Sequence, residues 1–352
     1  MQFLKGRSNL AVTVFVPYDC TNNCKFCTSK AMYHSCKINK DATLSMLKFM
    51  NLLDIPEVVL TGGEPFADLE YLQTLIDVVE DKDIYINTTL PTSNTVSEKQ
   101  ILEFISKNKS KISGINISRH CSTFAEDCSI FNKNILSDES IAKIPVKVKI
   151  NCVINDKLDF PTLFDRWNKL GNIILSLRGD YRNITLANLK TLNDDVIENI
   201  SHYANYVSHG GCDVCFDVSF KYAFGPLMIS YHRGLEHSSI KMGKDIIFVN
   251  DIIIKPDGNI YYDWDDKNED IAMLFKDFAK ISKKQTIQKP INKTTPTPSV
   301  SSNGGGYNSS VSNQSKPTVT VSSCGGHSNC GVIQSKPTVT LSSCGGHSRC
   351  GW

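Results

Sequence analysis

Three cysteines near the amino terminus have the type and spacing needed to hold a metal centre. Cys20, Cys24 and Cys27 form a Cys-x3-Cys-x2-Cys loop directly after an apolar run. Three thiolates on a short loop can ligate three corners of a [4Fe-4S] cube and leave the fourth iron open to a small chelating molecule. The alternative is structural zinc, which normally takes four protein ligands. No second cysteine pair lies near in the sequence, although His34 or Cys36 could supply a fourth ligand.

A second loop, Thr61-Gly62-Gly63-Glu64-Pro65, could bind the polar end of a small molecule. Two glycines let the backbone approach a ligand closely, and a glutamate can accept hydrogen bonds from an ammonium group. A Gly-Gly turn beside an acid is usually only a turn. Here it follows the next predicted strand after the cysteine loop, so we interpret the two loops as one site.

The elements that must position these loops alternate between strands and helices. Strands are predicted at 10–17, 57–60, 84–88, 114–118, 146–154 and 172–177. Helices are predicted at 43–53, 69–80, 96–107, 138–142 and 160–170, with Thr95 and Glu98 forming a capping box at the third. This alternation predicts an α/β fold with parallel strands. Because both loops follow strand carboxyl ends, we favour a partial (β/α)6 barrel resembling a TIM barrel over a flat sheet.

Residues 10–180 resemble the radical SAM superfamily. Its signature Cys-x3-Cys-x-aromatic-Cys is met by Cys20, Cys24, Phe26 and Cys27. The resemblance implies that the three cysteines hold a [4Fe-4S] cluster and that S-adenosylmethionine chelates the open iron. Members of the superfamily cleave this cofactor reductively to a 5′-deoxyadenosyl radical, which abstracts hydrogen from the substrate. We therefore also expect an electron donor of the flavodoxin or ferredoxin type.

The resemblance further implies which residues bind the cofactor. The methionine end would be cradled by Gly62, Gly63 and Glu64, and the adenine would lie beside Phe26. Positions at other strand ends that often touch the ribose or carboxylate in the family correspond here to Asn87, Ser118, Arg119 and Arg178. The alternative for these four is that they are ordinary polar residues at strand ends.

The segment 181–285 has a different pattern and is predicted to form a small α+β cap. A helix is expected at 192–208, and Lys255-Pro256-Asp257-Gly258 predicts a hairpin turn. This turn resembles the PDG segment of the SPASM and twitch extensions, which hold auxiliary clusters. The chain departs from that pattern because Asp263 stands at a ligand position and no cysteine occurs from 216 to 323.

Two cysteines of this segment, Cys212 and Cys215, have three open interpretations. They are a remnant of an auxiliary site, they bind a group with help from Asp263 or Cys152, or one thiol donates hydrogen to a substrate radical. The last interpretation would make them catalytic residues.

The carboxyl-terminal part consists of a predicted disordered linker, 286–313, and a repeat region, 314–352. Residues 314–331 and 334–351 agree at 16 of 18 positions. Each copy contains Cys-Gly-Gly-His-Ser, and its reactive residues are Cys324, His327, Cys330, Cys344, His347 and Cys350. Such a segment cannot fold alone. It is interpreted as a substrate-like peptide, acting in cis or mimicking a separate peptide; the alternative is a metal-binding or disulfide-prone tract.

Composition limits the remaining function classes. The 13 cysteines, an odd number, fit metal chemistry in a reducing, cytoplasmic compartment better than a disulfide framework. Apolar runs are too short to cross a membrane, and the basic residues beyond 278 are too dispersed to suggest nucleic-acid binding. We therefore predict a radical SAM maturase that modifies a ribosomally made peptide by crosslink, thioether or epimerisation. Alternatives are an enzyme acting on a small molecule, or a non-catalytic metal-binding scaffold.

Overall fold

The structure, a computed structural model, covers the predicted barrel and part of the segment that follows it. It describes residues 2–5, 10–18, 20, 27, 33, 37–155, 158–179, 186–211, 218–232, 239–242, 246–249 and 251–261. The predictions for the linker and for the repeats lie outside the described residues. Among the described residues, no helix combines the length and the apolar character that a membrane crossing requires.

Strands and helices alternate through the first two thirds of the described chain. The strands are β1 (Gln2–Lys5), β2 (Ala11–Val16), β3 (Glu57–Gly62), β4 (Asp83–Thr88), β5 (Ile112–Ser118), β6 (Lys147–Val153), β7 (Ile173–Arg178), β8 (Asn205–Gly211), β9 (Val218–Phe224), β10 (Leu227–His232), β11 (Ser239–Met242), β12 (Ile246–Val249), β13 (Asp251–Ile254) and β14 (Ile260–Tyr261). The helices are α1 (Lys40–Met50), α2 (Leu69–Val78), α3 (Glu98–Lys107), α4 (Phe124–Phe131), α5 (Asp138–Ile141), α6 (Phe160–Asn168) and α7 (Leu186–Tyr203), with a 3-10 turn at Pro65–Ala67.

The six predicted strands are confirmed as β2 to β7, which lie side by side in sequence order and are all parallel. Consecutive parallel strands joined by helices are the repeated β-α units that the sequence predicted. Two further strands extend this parallel sheet, because β13 pairs with β2 and β10 pairs with β7. The α/β fold class is therefore confirmed.

Part of the predicted cap belongs to this main sheet. The described residues place β8, β9, β10, β13 and β14 in the same sheet as β2 to β7. A separate three-stranded sheet contains β1, β12 and β11. The predicted hairpin is confirmed, since β13 and β14 are antiparallel and Gly258 has φ +82° in the turn between them. It adds to the sheet beside β2 because its apolar strand Asp251–Ile254 is buried there.

Two local helix predictions were wrong. The capping box of α3 is made by Ser97 and Gln100 rather than by Thr95 and Glu98. The Glu98 carboxylate instead accepts a hydrogen bond from the backbone N–H of Ser137 (2.8 Å). The predicted helix 192–208 ends at Tyr203, and β8 begins at Asn205, where pairing with β9 overrides the helical spacing of the apolar residues.

Helix α4 was missed by the sequence analysis although it carries a clear start signal. Thr123 caps it, and its capping box with Glu126 is complete. The pattern Thr-x-x-Glu was present in the sequence, but the helix has only eight residues and follows a cluster of small polar residues. A short helix with few apolar repeats gives too weak a periodic signal to be recognised.

The core fills the space between the helices and one face of the sheet. Helix-facing strand residues include Val14, Leu60, Ile86, Ile117, Ile150 and Leu175, and the helix residues in the same cluster include Leu47, Leu75, Ile105, Leu163 and Trp167. Burying one such side chain contributes about 1.5–3 kcal/mol. Because successive strand residues point to opposite faces, the residues between these lie on the face opposite the helices, which we call the polar face.

Candidate active site

The cysteine loop and the Gly-Gly-Glu loop lie at the same end of two neighbouring strands. The last residue of β2, Val16, pairs with Gly62, the last residue of β3. The cysteine loop leaves β2 four residues before Cys20, and Glu64 follows β3 two residues later. The parallel arrangement therefore brings together the two motifs that are about 40 residues apart in the sequence, as expected for a site at strand carboxyl ends.

Gly62 occupies a backbone conformation and a space that exclude any side chain. Its φ is +103°, outside the left-handed region that other residues tolerate. A Cβ atom on Gly62 would lie 2.9 Å from the Cα atom of Phe15 and would collide with the hydroxyl of Tyr33. The glycine at this position is thus required by both torsion and packing, and it leaves the backbone bare at the point where β3 ends.

Tyr33 ties the two loops to each other. Its hydroxyl donates to the backbone carbonyl of Val16 (2.7 Å) and accepts from the backbone N–H of Gly63 (2.6 Å). The side chain is buried against Phe15 and Ile253. One residue of the segment that follows the cysteines therefore fixes the ends of both strands.

The carboxylate of Glu64 accepts hydrogen bonds from other groups of the protein. The residue is 1% exposed. One carboxylate oxygen accepts from the backbone N–H of Phe66 (3.1 Å) and the hydroxyl of Thr88, and the other accepts from the backbone N–H (2.8 Å) and hydroxyl (2.6 Å) of Thr89. Burial raises the pKa of this carboxyl group, and the four hydrogen bonds oppose that shift. The structure thus places Glu64 as a brace between the loops after β3 and β4.

The guanidinium of Arg119 likewise donates hydrogen bonds to backbone groups of the protein. Its side chain is 0% exposed, and its guanidinium donates to the carbonyls of Thr89 (2.8 Å), Ser118 (2.8 Å) and Leu136 (2.9 Å). Burial lowers the pKa of Arg119 to about 10, so the group still carries its charge at neutral pH. The structure places this residue under the loops that follow β4 and β5, away from the polar face.

The other predicted strand-end residues lie together on the polar face. Asn87 sits on β4 and pairs with Asn116 on β5, whose amide donates to the Asn87 side-chain carbonyl (2.7 Å). Ser118 lies two residues beyond Asn116 toward the carboxyl end of β5. Arg178, which pairs with His232 on β10, lies at a register position two residues beyond that of Ser118. The structure therefore brings Asn87, Ser118 and Arg178 to one surface with the ends of β2 and β3.

The cysteine prediction is only partly within the described residues. Cys20 is half-buried and Cys27 is exposed, whereas Cys24 and Phe26 lie outside the described residues. The two described thiols fit an iron-sulfur cluster, because thiolates are the usual ligands of such clusters.

The remaining cysteine predictions divide in the same way. Cys212, Cys215 and Asp263 lie outside the described residues. Cys152 is described, and it is buried in the apolar core on the helix side of β6, where burial raises the pKa of its thiol. A thiol in this position faces the helices rather than the polar face.

Sequence reasoning missed several residues of this region. Tyr33 gave no signal, because its role depends on where the segment after the cysteines returns to the sheet. Asn116, Asn151 and Ser176 had a signal, since each is a polar residue between two apolar residues of a strand. Alternation of this kind predicts one apolar and one polar face of a sheet.

The hairpin turn between β13 and β14 packs against the helix that follows the cysteine loop. The carbonyl of Pro256 accepts from the backbone N–H of Asn39 (2.8 Å), the residue that caps α1. A Cβ atom on Gly258 would lie 2.6 Å from the backbone carbonyl carbon of Ala42. The Pro-Asp-Gly turn thus supports the start of α1.

Two comparisons bear on the identity of the chain. Residues 6–118 match the family model of the 4Fe-4S single cluster domain. These residues contain both loops, so the match confirms the expected [4Fe-4S] cluster. A comparison with curated proteins finds no match. The fold and the site therefore define an α/β iron-sulfur protein with a mostly parallel sheet.

Among solved structures, the chain is similar to SuiB of Streptococcus suis. The TM-score is 0.50 at 16% identity, covering 77% of this chain and 65% of that one. SuiB bound to its precursor peptide SuiA gives 0.41 at 18% identity, with 55% and 46% covered, and anSMEcpe with bound AdoMet gives 0.39 at 16% identity, with 55% and 61% covered. The chain spans less than two thirds of each of these structures. The likeness to SuiB shows that the two chains share a fold.

Proposed function

We propose that this chain is a radical SAM enzyme that modifies a ribosomally made peptide, with the Cys-Gly-Gly-His-Ser repeats as its substrate. The observation that carries the proposal is the pairing of Val16 with Gly62, which sets the cysteine loop beside a glycine turn that has no room for a side chain. Such a turn gives a small chelating molecule access to backbone groups next to the cluster.

The cofactors are assigned to this end of the sheet. The [4Fe-4S] cluster would be held by Cys20, Cys24 and Cys27, and S-adenosylmethionine would lie against Gly62 and Gly63. When bound and reduced, the pair supplies a 5′-deoxyadenosyl radical that removes a hydrogen atom from the substrate. The chain itself orients the cofactor through the turn that Tyr33 fixes, and the buried brace at Glu64 keeps the loops after β3 and β4 in place.

The polar face supports binding of the ribose and carboxylate of the cofactor and of a polar substrate beside it. It presents Asn87, Ser118 and Arg178 at the end of the sheet where both loops lie. A sheet face lined with hydrogen-bonding groups suits a ligand rich in polar groups, such as a peptide backbone.

The repeats at 314–352 support a peptide substrate held in cis. About 40 residues separate residue 285 from the first repeat cysteine, and a flexible chain of that length spans roughly 35 Å. Tethering at this length gives an effective concentration in the millimolar range. The eight Lys and Arg residues beyond 278, with no Asp or Glu, favour contact with the rest of the chain, which carries net negative charge. A separate peptide with the same repeat would be modified in trans.

The test is mass spectrometry of the full chain after anaerobic reconstitution with iron and sulfide. With S-adenosylmethionine and a reductant, or a flavodoxin or ferredoxin system, the tail should lose two hydrogens for each crosslink or thioether. In D2O, each epimerisation should instead add one dalton. Replacing Cys24 by Ala should abolish both the iron-sulfur absorbance and cofactor cleavage.

Two outcomes would contradict the proposal. An unchanged tail alongside 5′-deoxyadenosine release would indicate a small-molecule substrate. A fully loaded cluster that never cleaves S-adenosylmethionine would indicate a non-catalytic scaffold. The assay must be done in a reducing buffer, because we place the enzyme in a cytoplasmic compartment on the basis of its many cysteines.

A further inference from the structure

Four polar residues form a continuous row across the polar face. Ser118 on β5 pairs with Asn151 on β6, Asn151 pairs with Ser176 on β7, and Ser176 pairs with Ser230 on β10. The register position of this row is two residues closer to the carboxyl ends of the strands than that of Asn87. The row therefore crosses the sheet between the level of Asn87 and the level of Arg178.

The two central members of this row have buried polar atoms that lack a hydrogen-bond partner within the described residues. These atoms are the side-chain oxygen of Asn151 and the hydroxyl of Ser176, each with less than 1 Å² accessible. Ser176 is 0% exposed. Its neighbour Ser230 differs, because its hydroxyl lies 3.2 Å from the Nε2 atom of His232.

Buried polar atoms normally have a partner, since leaving one unpaired costs free energy. Asn87 shows the usual state on the same face, because its side-chain carbonyl accepts from Asn116. Asn151 and Ser176 differ from the other unpaired buried groups of the described residues because they are in register on adjacent strands, so that a single bound molecule can pair with both. The Asn151 oxygen can only accept a hydrogen bond, whereas the Ser176 hydroxyl can also donate one.

We propose that Asn151 and Ser176 bind the backbone of one glycine of the substrate peptide, an inference that rests on the proposed function. The Asn151 oxygen accepts the glycine N–H, and the Ser176 hydroxyl donates to the glycine carbonyl. Neighbouring strands are about 4.8 Å apart. This spacing suits the N–H and C=O groups of one extended residue, which point to the same side as they do in a sheet ladder.

The depth of the pair explains why the bound residue must be glycine. Both oxygens are buried, so a ligand reaches them only when the atoms that cover them move aside, and a residue without Cβ requires the smallest displacement. Each repeat has two adjacent glycines, Gly325-Gly326 and Gly345-Gly346, between its first cysteine and its histidine. Binding one of them would hold the flanking cysteine and histidine beside the cofactor.

The test uses the full chain, reconstituted anaerobically, and a synthetic peptide of residues 314–333 that carries isotopically labelled serine. Every form of the chain, including the reference that is otherwise unaltered, carries Gly→Ala at positions 325, 326, 345 and 346, so that the tail in cis cannot compete for the site. The label separates the added peptide from that tail. Ser176→Ala and Asn151→Leu should each raise KM for the labelled peptide about tenfold, as expected for loss of one hydrogen bond. A rise in KM for S-adenosylmethionine instead of KM for the peptide would overturn the assignment.

A second measurement identifies the bound group. Peptides with an N-methylated glycine at 325 or 326 lack one backbone N–H, and one of them should show the same tenfold rise with the unaltered chain. With Asn151→Leu, that peptide should show no further rise, because the two changes remove the same hydrogen bond. Additive effects of the two changes would contradict the proposal.

A matched control comes from Thr13 on β2, whose buried hydroxyl also lacks a partner within the described residues. Thr13→Val should leave KM for the peptide unchanged, and an equal rise would mean that loss of any buried hydroxyl has the effect. Failure of this inference is distinct from failure of the proposed function. In the first case, the unaltered chain modifies the peptide and the variants do so equally well; in the second, the unaltered chain does not modify it.

Discussion

Gly63 donates its backbone N–H to the hydroxyl of Tyr33 over 2.6 Å, and the same hydroxyl donates to Val16 over 2.7 Å. This contact joins the segment after the cysteine loop to the turn that we assign to S-adenosylmethionine. The two segments are 30 residues apart in the sequence. Their geometry is therefore coupled, and a change at Tyr33 should reach both the cluster and the cofactor.

Tyr33→Phe removes only the bridging hydroxyl and leaves the backbone groups of Val16 and Gly63 unpaired. We expect the free energy of unfolding to fall by about 1–3 kcal/mol, and the affinity for S-adenosylmethionine to fall with it. Urea unfolding and equilibrium binding measure the two effects. Tyr71→Phe is the control, because its hydroxyl also donates to a backbone carbonyl (2.7 Å, Lys40), but in an exposed position. Equal losses in both variants would contradict a special role for Tyr33.

Gly62→Ala should prevent assembly of the site. The new Cβ would lie 2.9 Å from the Cα atom of Phe15 at a φ of +103°, so we expect a loss of at least about 3 kcal/mol and less than half the normal iron content. Gly171→Ala is the control, since Gly171 also has positive φ (+63°) but no atom within 4 Å of the Cβ position. It should cost about 1 kcal/mol and leave the iron content unchanged. Normal iron loading of Gly62→Ala would refute this account.

His120 should make the protein less stable in mild acid. Burial, aided by the charge of Arg119, lowers its pKa to about 3, so between pH 6.5 and pH 3 only the unfolded chain binds the proton. The contribution of His120 to the free energy of unfolding is therefore fully present above pH 6.5. It decreases as the pH falls, by about 2 kcal/mol at pH 5. Urea unfolding between pH 5 and pH 7.5 measures the slope. His120→Gln should remove that part of the slope, and an unchanged slope would show that His120 is not responsible.

Arg166→Lys should loosen the loop after β5. Arg166 binds Asp138 through two nitrogens (2.7 and 2.9 Å) and Asp127 through a third (2.7 Å), and Asp127 accepts the backbone N–H of His120 (2.7 Å). A lysine cannot make the planar double contact, so we expect a loss of about 2–3 kcal/mol in thermal unfolding.

The control for Arg166 is Lys111→Met, which breaks an exposed ion pair with Asp77 at 2.9 Å. It should change stability by no more than about 0.5–1 kcal/mol. A similarly small effect of Arg166→Lys would mean that the buried network does not hold the loop.

The sequence by itself determined the six parallel strands, most of the helices and the two loops at the strand ends. These predictions succeeded because apolar periodicity and the spacing of cysteines and glycines are local properties of the chain. The same approach failed where two local signals competed. The capping box of α3 formed at Ser97 and Gln100 because Glu98 was taken by Ser137, 39 residues away.

Only the tertiary structure decided which polar residues face the site. In the sequence, Glu64 and Arg119 stand close to strand ends, as Ser118 and Arg178 do. The first two are nevertheless buried, Glu64 against backbone N–H groups and threonine hydroxyls and Arg119 against backbone carbonyls, whereas the last two lie on the polar face. The unpaired oxygens of Asn151 and Ser176 are likewise invisible in the sequence. Partner choice for a polar group depends on atoms contributed by distant segments, and these come together only when parallel strands align their ends.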